Sequence, residues 1–272
     1  MLFFLYDKQY FIKRGKMTNE DILRVAMRQS SVDLGCALED FLKKENQIVV
    51  SKKTNNARKY LELPFECNLV SYGNNIVASV REDIVDVVKN YIEQYQIEHC
   101  FETPNLNVLS DDLARYDLKI CFMAEYFLPD ITLLKKQDCE YETRLLTQKN
   151  FEGLYKLEWG NALCEKHKER DMLGVGAYDR DKLVGLAACS ADCDEMWQIG
   201  VDVLPEYRRQ GVASALTSTL ALEILRCAKV PFYCAAWSNI KSVRNAIKSG
   251  FRPAWVELTA KSSKFVDGMN KR

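Results

Sequence analysis

Residues 201–216 read VDVLPEYRRQGVASAL. The stretch up to Val203 reads as an apolar strand, and Pro205 ends it. From Val212 onward small and apolar residues recur at helical spacing. A strand therefore enters a tight turn, Arg208-Arg209-Gln210-Gly211, and leaves it as a helix. The first amides of a helix have no partner within it and stand at the positive end of its dipole. Gly211 lets the backbone approach a ligand without a Cβ in the way, Ala213 keeps the first turn narrow, and Arg208 or Arg209 can add a charge-assisted contact. Two readings of these residues stand side by side. One is a cradle for a phosphate or pyrophosphate made by the amides of Arg209 to Ser214. The other is a capped helix after an edge strand, with its arginines in solvent.

The pattern on both sides of this turn is regular. Before it, YETRLLT (141–147) predicts a strand, FEGLYKLEWGNALCEK (151–166) a helix, and LGVGAYDRD with KLVGLAACSAD (173–192) a hairpin turning at Asp179-Arg180-Asp181. EMWQIGVDVLP (195–205) predicts a further strand. After it come a long helix to Lys229, a strand at VPFYCAAW (230–237), a helix at SNIKSVRNAIKSG with Gly250 as its C-cap, and a last strand at FRPAWVELTAK (251–261). The order is β-α-β-β-β-α-β-α-β, an α+β arrangement with a mixed sheet.

Arg208-Arg209-Gln210-Gly211-Val212-Ala213 resembles the cofactor motif [QR]-x-x-G-x-[GA] of the GNAT (GCN5-related N-acetyltransferase) superfamily, and the element order of residues 140–262 follows that family. The resemblance implies an acyl-CoA N-acyltransferase fold with acetyl-CoA as co-substrate. The cofactor would lie in a splay between the strand ending at Val203 and FYCAAW. Backbone groups of Val201 and Val203 would pair with its pantetheine arm, and Arg208, Arg209, Gln210, Gly211, Val212, Ala213 and Ser214 would hold its pyrophosphate. Asn239 and Gly250-Phe251 match the family's next helix, so Asn239 and Ser242 would also contact the cofactor. On the residues alone Asn239 is an N-cap, and Asn245 reads as a solvated helix residue. Many members carry a Tyr seven residues after that Asn to protonate the leaving thiolate. Here the position is Ala246, which puts the source of that proton in doubt. The Asn-x-x-Ser spacing without the Tyr is similar to the glycine N-acyltransferase-like branch.

The implied reaction is direct attack of a neutral small-molecule amine on the thioester, with a strand N–H receiving the oxyanion. Glu195 is the first candidate for the base, followed by Asp202 and Asp192. Cys234 reads as a core thiol, since no base is paired with it. The alternative, from another class, is a non-catalytic acyl-CoA sensor.

Residues 17–135 form an α+β N-terminal domain with no motif attached to chemistry. A helix is expected over 18–45, strands at IVVSKK, CNLVSYG and NNIVASV, a helix at REDIVDVVKNYIEQY, a short helix near Leu113 and a strand at KICFMAEYF. This half reads as a degenerate copy of the same fold, or as one wall of an acceptor site. Residues 1–16 read as an N-terminal arm, 135–140 as a polar boundary and 263–272 as a tail. Across 272 residues the 38 basic and 38 acidic side chains cancel, which argues against nucleic acid or an anionic membrane as partner. The apolar start is too short to span a bilayer. The ten scattered cysteines lack a CxxC pair, and only two histidines accompany them. A zinc site is not expected, and a reducing, cytoplasmic setting is. A homodimer is compatible with all of this.

Overall fold

Thr18 and Asp21 cap the first helix reciprocally. The Thr18 N–H and hydroxyl both donate to the Asp21 carboxylate, at 2.9 and 2.7 Å, and the Asp21 N–H donates back to the hydroxyl at 3.1 Å. In this computed structural model, which describes residues 17–271, that helix is α1 (Asn19–Leu34). The expected arm at 1–16 lies outside the described residues. The helix does not run to 45. Gly35 takes a φ of +71° and closes it, and only a 3-10 turn, Leu38–Leu42, follows.

Next along the chain come β1 (Gln47–Val50), β2 (Cys67–Ser71) and β3 (Val77–Val80), then α2 (Val85–Gln94), α3 (Thr103–Ala114) and β4 (Leu118–Pro129). After the polar 135–140 segment stand β5 (Glu142–Thr147), β6 (Asp171–Asp179), β7 (Lys182–Ser190) and β8 (Met196–Val203). They are followed by α4 (Val212–Arg226), β9 (Val230–Ala235), α5 (Ile240–Lys248), β10 (Phe251–Ser262) and α6 (Ser263–Met269). The fold is α+β with mixed pairing, as the sequence implies.

The chain packs as two units. The N-terminal unit takes residues 27–126, 235–238 and 254 onward. Its strands run in the order β1-β3-β2-β10, with β1 and β3 parallel and the other pairs antiparallel. Val88, Tyr91 and Ile92 of α2 and Leu106, Leu109 and Leu113 of α3 are buried in one cluster with Leu69, Ala78 and Leu258 from the strands. The N-terminal half therefore does not build this sheet from its own strands alone, because β10 completes it from the far end of the sequence. Arg58 is buried here. It pairs with Asp33 and Glu257 and lies under 6 Å from the ring centroids of Tyr60, Tyr126 and Trp255.

The motif-bearing unit takes the residues up to Ala26, then 127–234 and 239–253. It contains the whole polar 135–140 segment. Its sheet runs β5-β6-β7-β8-β9, antiparallel except for the parallel pair β8 and β9. α4 covers one face, where a Cβ on Gly185 would meet Val212 and Leu216. The other face is covered by residues 148–170. They are not the helix that 151–166 predicts. Turns and short 3-10 pieces at Leu157–Trp159 and Glu165–Arg170 take its place. Gly153 with φ +83° breaks the spiral, and Phe151, Trp159, Ala162 and Leu163 bury themselves on Leu186 and Ala188 of β7. That packing outweighs the local helical preference.

Candidate functional site

β8 and β9 pair only from Met196↔Val230 through Gln198↔Phe232. Beyond those residues the two strands run on to Val203 and Ala235 without pairing, so they diverge from a crotch at Gln198 and Phe232. The edge that faces the gap follows from strand alternation. Leu204 N–H donates to Val184 O at 3.0 Å, which places the main-chain groups of Leu204, Asp202 and Gly200 toward β7. Those of Val203, Val201 and Ile199 face the gap. The Arg208 Nε donates to Val203 O at 2.8 Å from that side. The Arg208 guanidinium thus braces the loop against the strand end.

The loop is braced at several other points. Tyr207 donates to Asp179 at 3.0 Å, and Lys182 pairs with Glu206 at 3.0 Å. Gln210 bonds the Tyr141 hydroxyl and donates to Glu206 O at 3.2 Å. Arg209 and Gly211 take φ of +64° and +81°. Gly211 is the N-cap of α4 and no side chain caps that helix. A Cβ on Gly211 would meet nothing within 4 Å, so the Gly211 face of the loop is open. Val212 and Ser214 are buried behind it, and the Ser214 hydroxyl donates to Gly211 O at 3.0 Å. The loop amides and the outer edge of β8 thus come together in one unit, and this geometry fits a diphosphate followed by an amide-bearing arm.

Asn239 caps α5, accepting from Ser242 N–H at 3.2 Å. The Ser242 hydroxyl is 2.8 Å from the hydroxyl of Tyr233 on β9. Asn245 is not solvated. It is half-buried and donates to Thr217 of α4 at 3.1 Å. Ala246 is fully buried, so no hydroxyl projects from the position where many relatives carry one. The motif does not single out Tyr233, whose hydroxyl stands beside the start of α5. It is 4% exposed, and burial holds its phenol above the ordinary tyrosine range, opposed by the Ser242 and Asn245 side chains.

The carboxylates separate by role. Asp202 accepts from Asn161 N–H, Asn161 Nδ2 and Ala162 N–H at 2.6–3.0 Å and so anchors the 148–170 segment to β8. Asp192 is buried and pairs with Arg170 at 3.3 Å. Glu195 is exposed at the turn before β8, where its carbonyl accepts from Val230 N–H at 2.9 Å, at the closed end of the splay. Cys234 accepts from Gln198 Nε2 at 3.1 Å, beside the crotch. Asp171, which the sequence reading passes over, is 1% exposed. Burial pushes its carboxyl up to about 6, opposed by the Cys164 N–H and the Tyr155 hydroxyl. Among the described residues no group of three His, Cys, Asp or Glu side chains is placed to hold a metal ion, and no helix is long and apolar enough to cross a membrane.

Residues 74–254 match the family model described as GNAT acetyltransferase, a span that begins well ahead of the motif. No curated protein matches the chain significantly. Among solved structures, it is similar to a GNAT-family protein from Novosphingobium aromaticivorans, at 16% identity, 53% of this chain, 66% of that one and a TM-score of 0.43. This chain thus spans just under two thirds of that relative. A Drosophila protein is 13% identical over 93% of both chains, with a TM-score of 0.44. An aminoglycoside N-acetyltransferase solved with coenzyme A is 19% identical over 44% of this chain and 93% of its own, with a TM-score of 0.34.

Proposed function

Because the chain belongs to the GNAT acetyltransferase family, we propose that it transfers an acetyl or other short acyl group from acyl-coenzyme A to a small amine by direct attack. The observation that carries this reading is the loop at Gly211. Left-handed backbone at Arg209 and Gly211, an uncapped helix start and an open face stand beside the unpaired edge of β8. Arg208, bonded to Val203 O, and Gln210, bonded to Tyr141, hold that loop in shape before any ligand arrives. The amides from Arg209 to Ser214 would take the pyrophosphate, with Arg209 as the added charge. Val201 and Val203 would pair with the pantetheine amides. Asn239 and Ser242, at the start of α5, would border the arm.

An outer-edge N–H of Ile199 or Val201 would receive the oxyanion. Tyr233, held protonated by burial and bonded to Ser242, would give the leaving thiolate its proton in place of a Tyr at 246. Glu195 lies four residues before Ile199, about 13 Å along a strand. As the base it would therefore receive the acceptor's proton through water. All ten cysteines are thiols, which supports a reducing compartment such as the cytoplasm.

Gly211→Val is the test. The φ at 211 strains any side chain by about 1–2 kcal/mol, and the Cβ meets no protein atom, so the fold should survive. Its side chain would instead occupy the approach of the pyrophosphate. Calorimetric titration with coenzyme A should show affinity falling at least tenfold. Unchanged affinity in a folded variant would overturn the reading.

A further inference from the structure

With its pyrophosphate on the Gly211 loop, an acyl-coenzyme A can run in one direction only. Its arm would pass Val203 and then Val201. The thioester end would point at the crotch, where β8 and β9 close at Gln198 and Phe232. The acyl group extends further still, so whatever stands ahead of it in the crotch sets how long it can be.

Directly opposed residues share a face of a sheet, and so do residues two apart on one strand. Gln198, Gly200, Phe232 and Cys234 therefore lie on one face of the splay. Tyr233 lies on the other, where its hydroxyl meets Ser242. Continued by one step, the ladder would set Gly200 opposite Cys234, but it has already ended. A side chain takes over there. Gln198 Nε2 reaches forward and donates to Cys234 Sγ at 3.1 Å, which carries the closure past the last main-chain pair.

Phe232, on the same face, is fully buried. Gln198 and Cys234 are only half-buried, so their bridge stands at the end of the gap and not inside the core. Over Gly200 the same face is roofed by main chain. A Cβ there would fall 1.8 Å from the Asn161 carbonyl oxygen, and Asp202 holds Asn161 and Ala162 in that position. A thiol sulfur is a weak acceptor. The bridge therefore adds little as a bond, and what it does is fill the space ahead of the thioester.

We propose that the Gln198–Cys234 bridge is the stop that limits the acyl group to acetyl. The single methyl of acetyl ends short of it, whereas a butyryl chain would run into the amide and the sulfur. This proposal deepens the transferase reading and rests on it.

The test is calorimetric titration of the full chain with coenzyme A, acetyl-coenzyme A and butyryl-coenzyme A. Acetyl-coenzyme A should bind within threefold of coenzyme A. Butyryl-coenzyme A should bind at least tenfold more weakly, the scale set by methylenes forced into filled space. Gln198→Ala and Cys234→Ala each shorten one side of the bridge. Each should raise butyryl-coenzyme A affinity at least fivefold, and together they should abolish the preference, with coenzyme A affinity unchanged within twofold. Should the double variant fail to fold, Gln198→Ala, which trims only a half-buried side chain, decides by the same criterion. Equal binding of acetyl- and butyryl-coenzyme A by the wild type, or a preference that survives the substitutions, would overturn the proposal and leave the transferase reading standing. A folded wild-type chain that binds none of the three would overturn the transferase reading, and this proposal with it.

Discussion

Asp171 holds its proton more tightly in the fold than in the unfolded chain, where a carboxyl titrates near 3.8; here burial lifts it to about 6. Asp192 and Glu169 lift it further, while the Cys164 N–H and Tyr155 pull it down. Between those two pH values the folded state binds more protons than the unfolded one. Stability therefore falls as pH rises through about 4 to 6, and the whole penalty is present above 6. Asp171→Asn keeps an acceptor for the Cys164 N–H and carries no charge. Its melting temperature should equal that of wild type near pH 4 and exceed it at pH 7.5, by an amount equivalent to roughly 2–3 kcal/mol. A gap between the two proteins that did not change with pH would show that the carboxyl is not raised. Nothing in KERDML announces this residue, because its environment is made by Tyr155 and Cys164 folding back over β6. Gly211 was legible for the opposite reason. A glycine between a strand and a helix reports its left-handed φ through its immediate neighbours, with no help from distant packing.

The strands of the motif-bearing unit fall on its apolar runs, buried on both faces in β6, β7 and β9, and Pro205, Gly211 and Gly250 mark the limits of the elements as the sequence implies. Residues 151–166 do not follow their pattern, and the reason lies on the neighbouring element. A Cβ on Gly200 of β8 would fall 1.8 Å from the Asn161 carbonyl oxygen. The segment lies directly on the backbone of β8, tied there by Asp202. A regular helix carries side chains all round and would stand off the sheet, whereas a run of turns can lay its main chain against a glycine. Gly200→Ala should lift the segment and destabilise the protein by about 2–3 kcal/mol, the usual cost of overpacking, measured as a lower urea midpoint. The same substitution at Gly73, where a Cβ meets nothing, should lack that steric cost and show only the strain of its positive φ. Equal losses at the two positions would mean that contact with Asn161 is not what makes Gly200 necessary.

At the scale of the whole chain, the family match beginning at residue 74 and the packing units cut the sequence differently from its motifs. β10 shows why a linear reading misses this. Phe251–Pro253 belong with the motif, whereas Val256–Ala260 pair with Ser71–Cys67 of the N-terminal unit. Glu257 on that strand is one of the two carboxylates that meet Arg58, and the other, Asp33, lies 25 residues before Arg58 in sequence. One buried cation therefore joins α1, a loop and the last long strand of the unit. Its attraction to both carboxylates outweighs desolvation and holds the guanidinium charged, well above the ordinary arginine range. Arg58→Met leaves two buried carboxylates without their cation and should cost about 3–5 kcal/mol in urea unfolding. Adding Asp33→Asn and Glu257→Gln removes the stranded charges. If the network matters through charge, the triple variant should recover at least half of the loss, since buried ion clusters replaced as a set are often neutral. If it matters through the packing of the Arg58 stem on Tyr126 and Trp255, the triple variant should be no more stable than Arg58→Met. The urea midpoints of the two variants decide between charge and packing as the bond that ties β10 into the N-terminal unit.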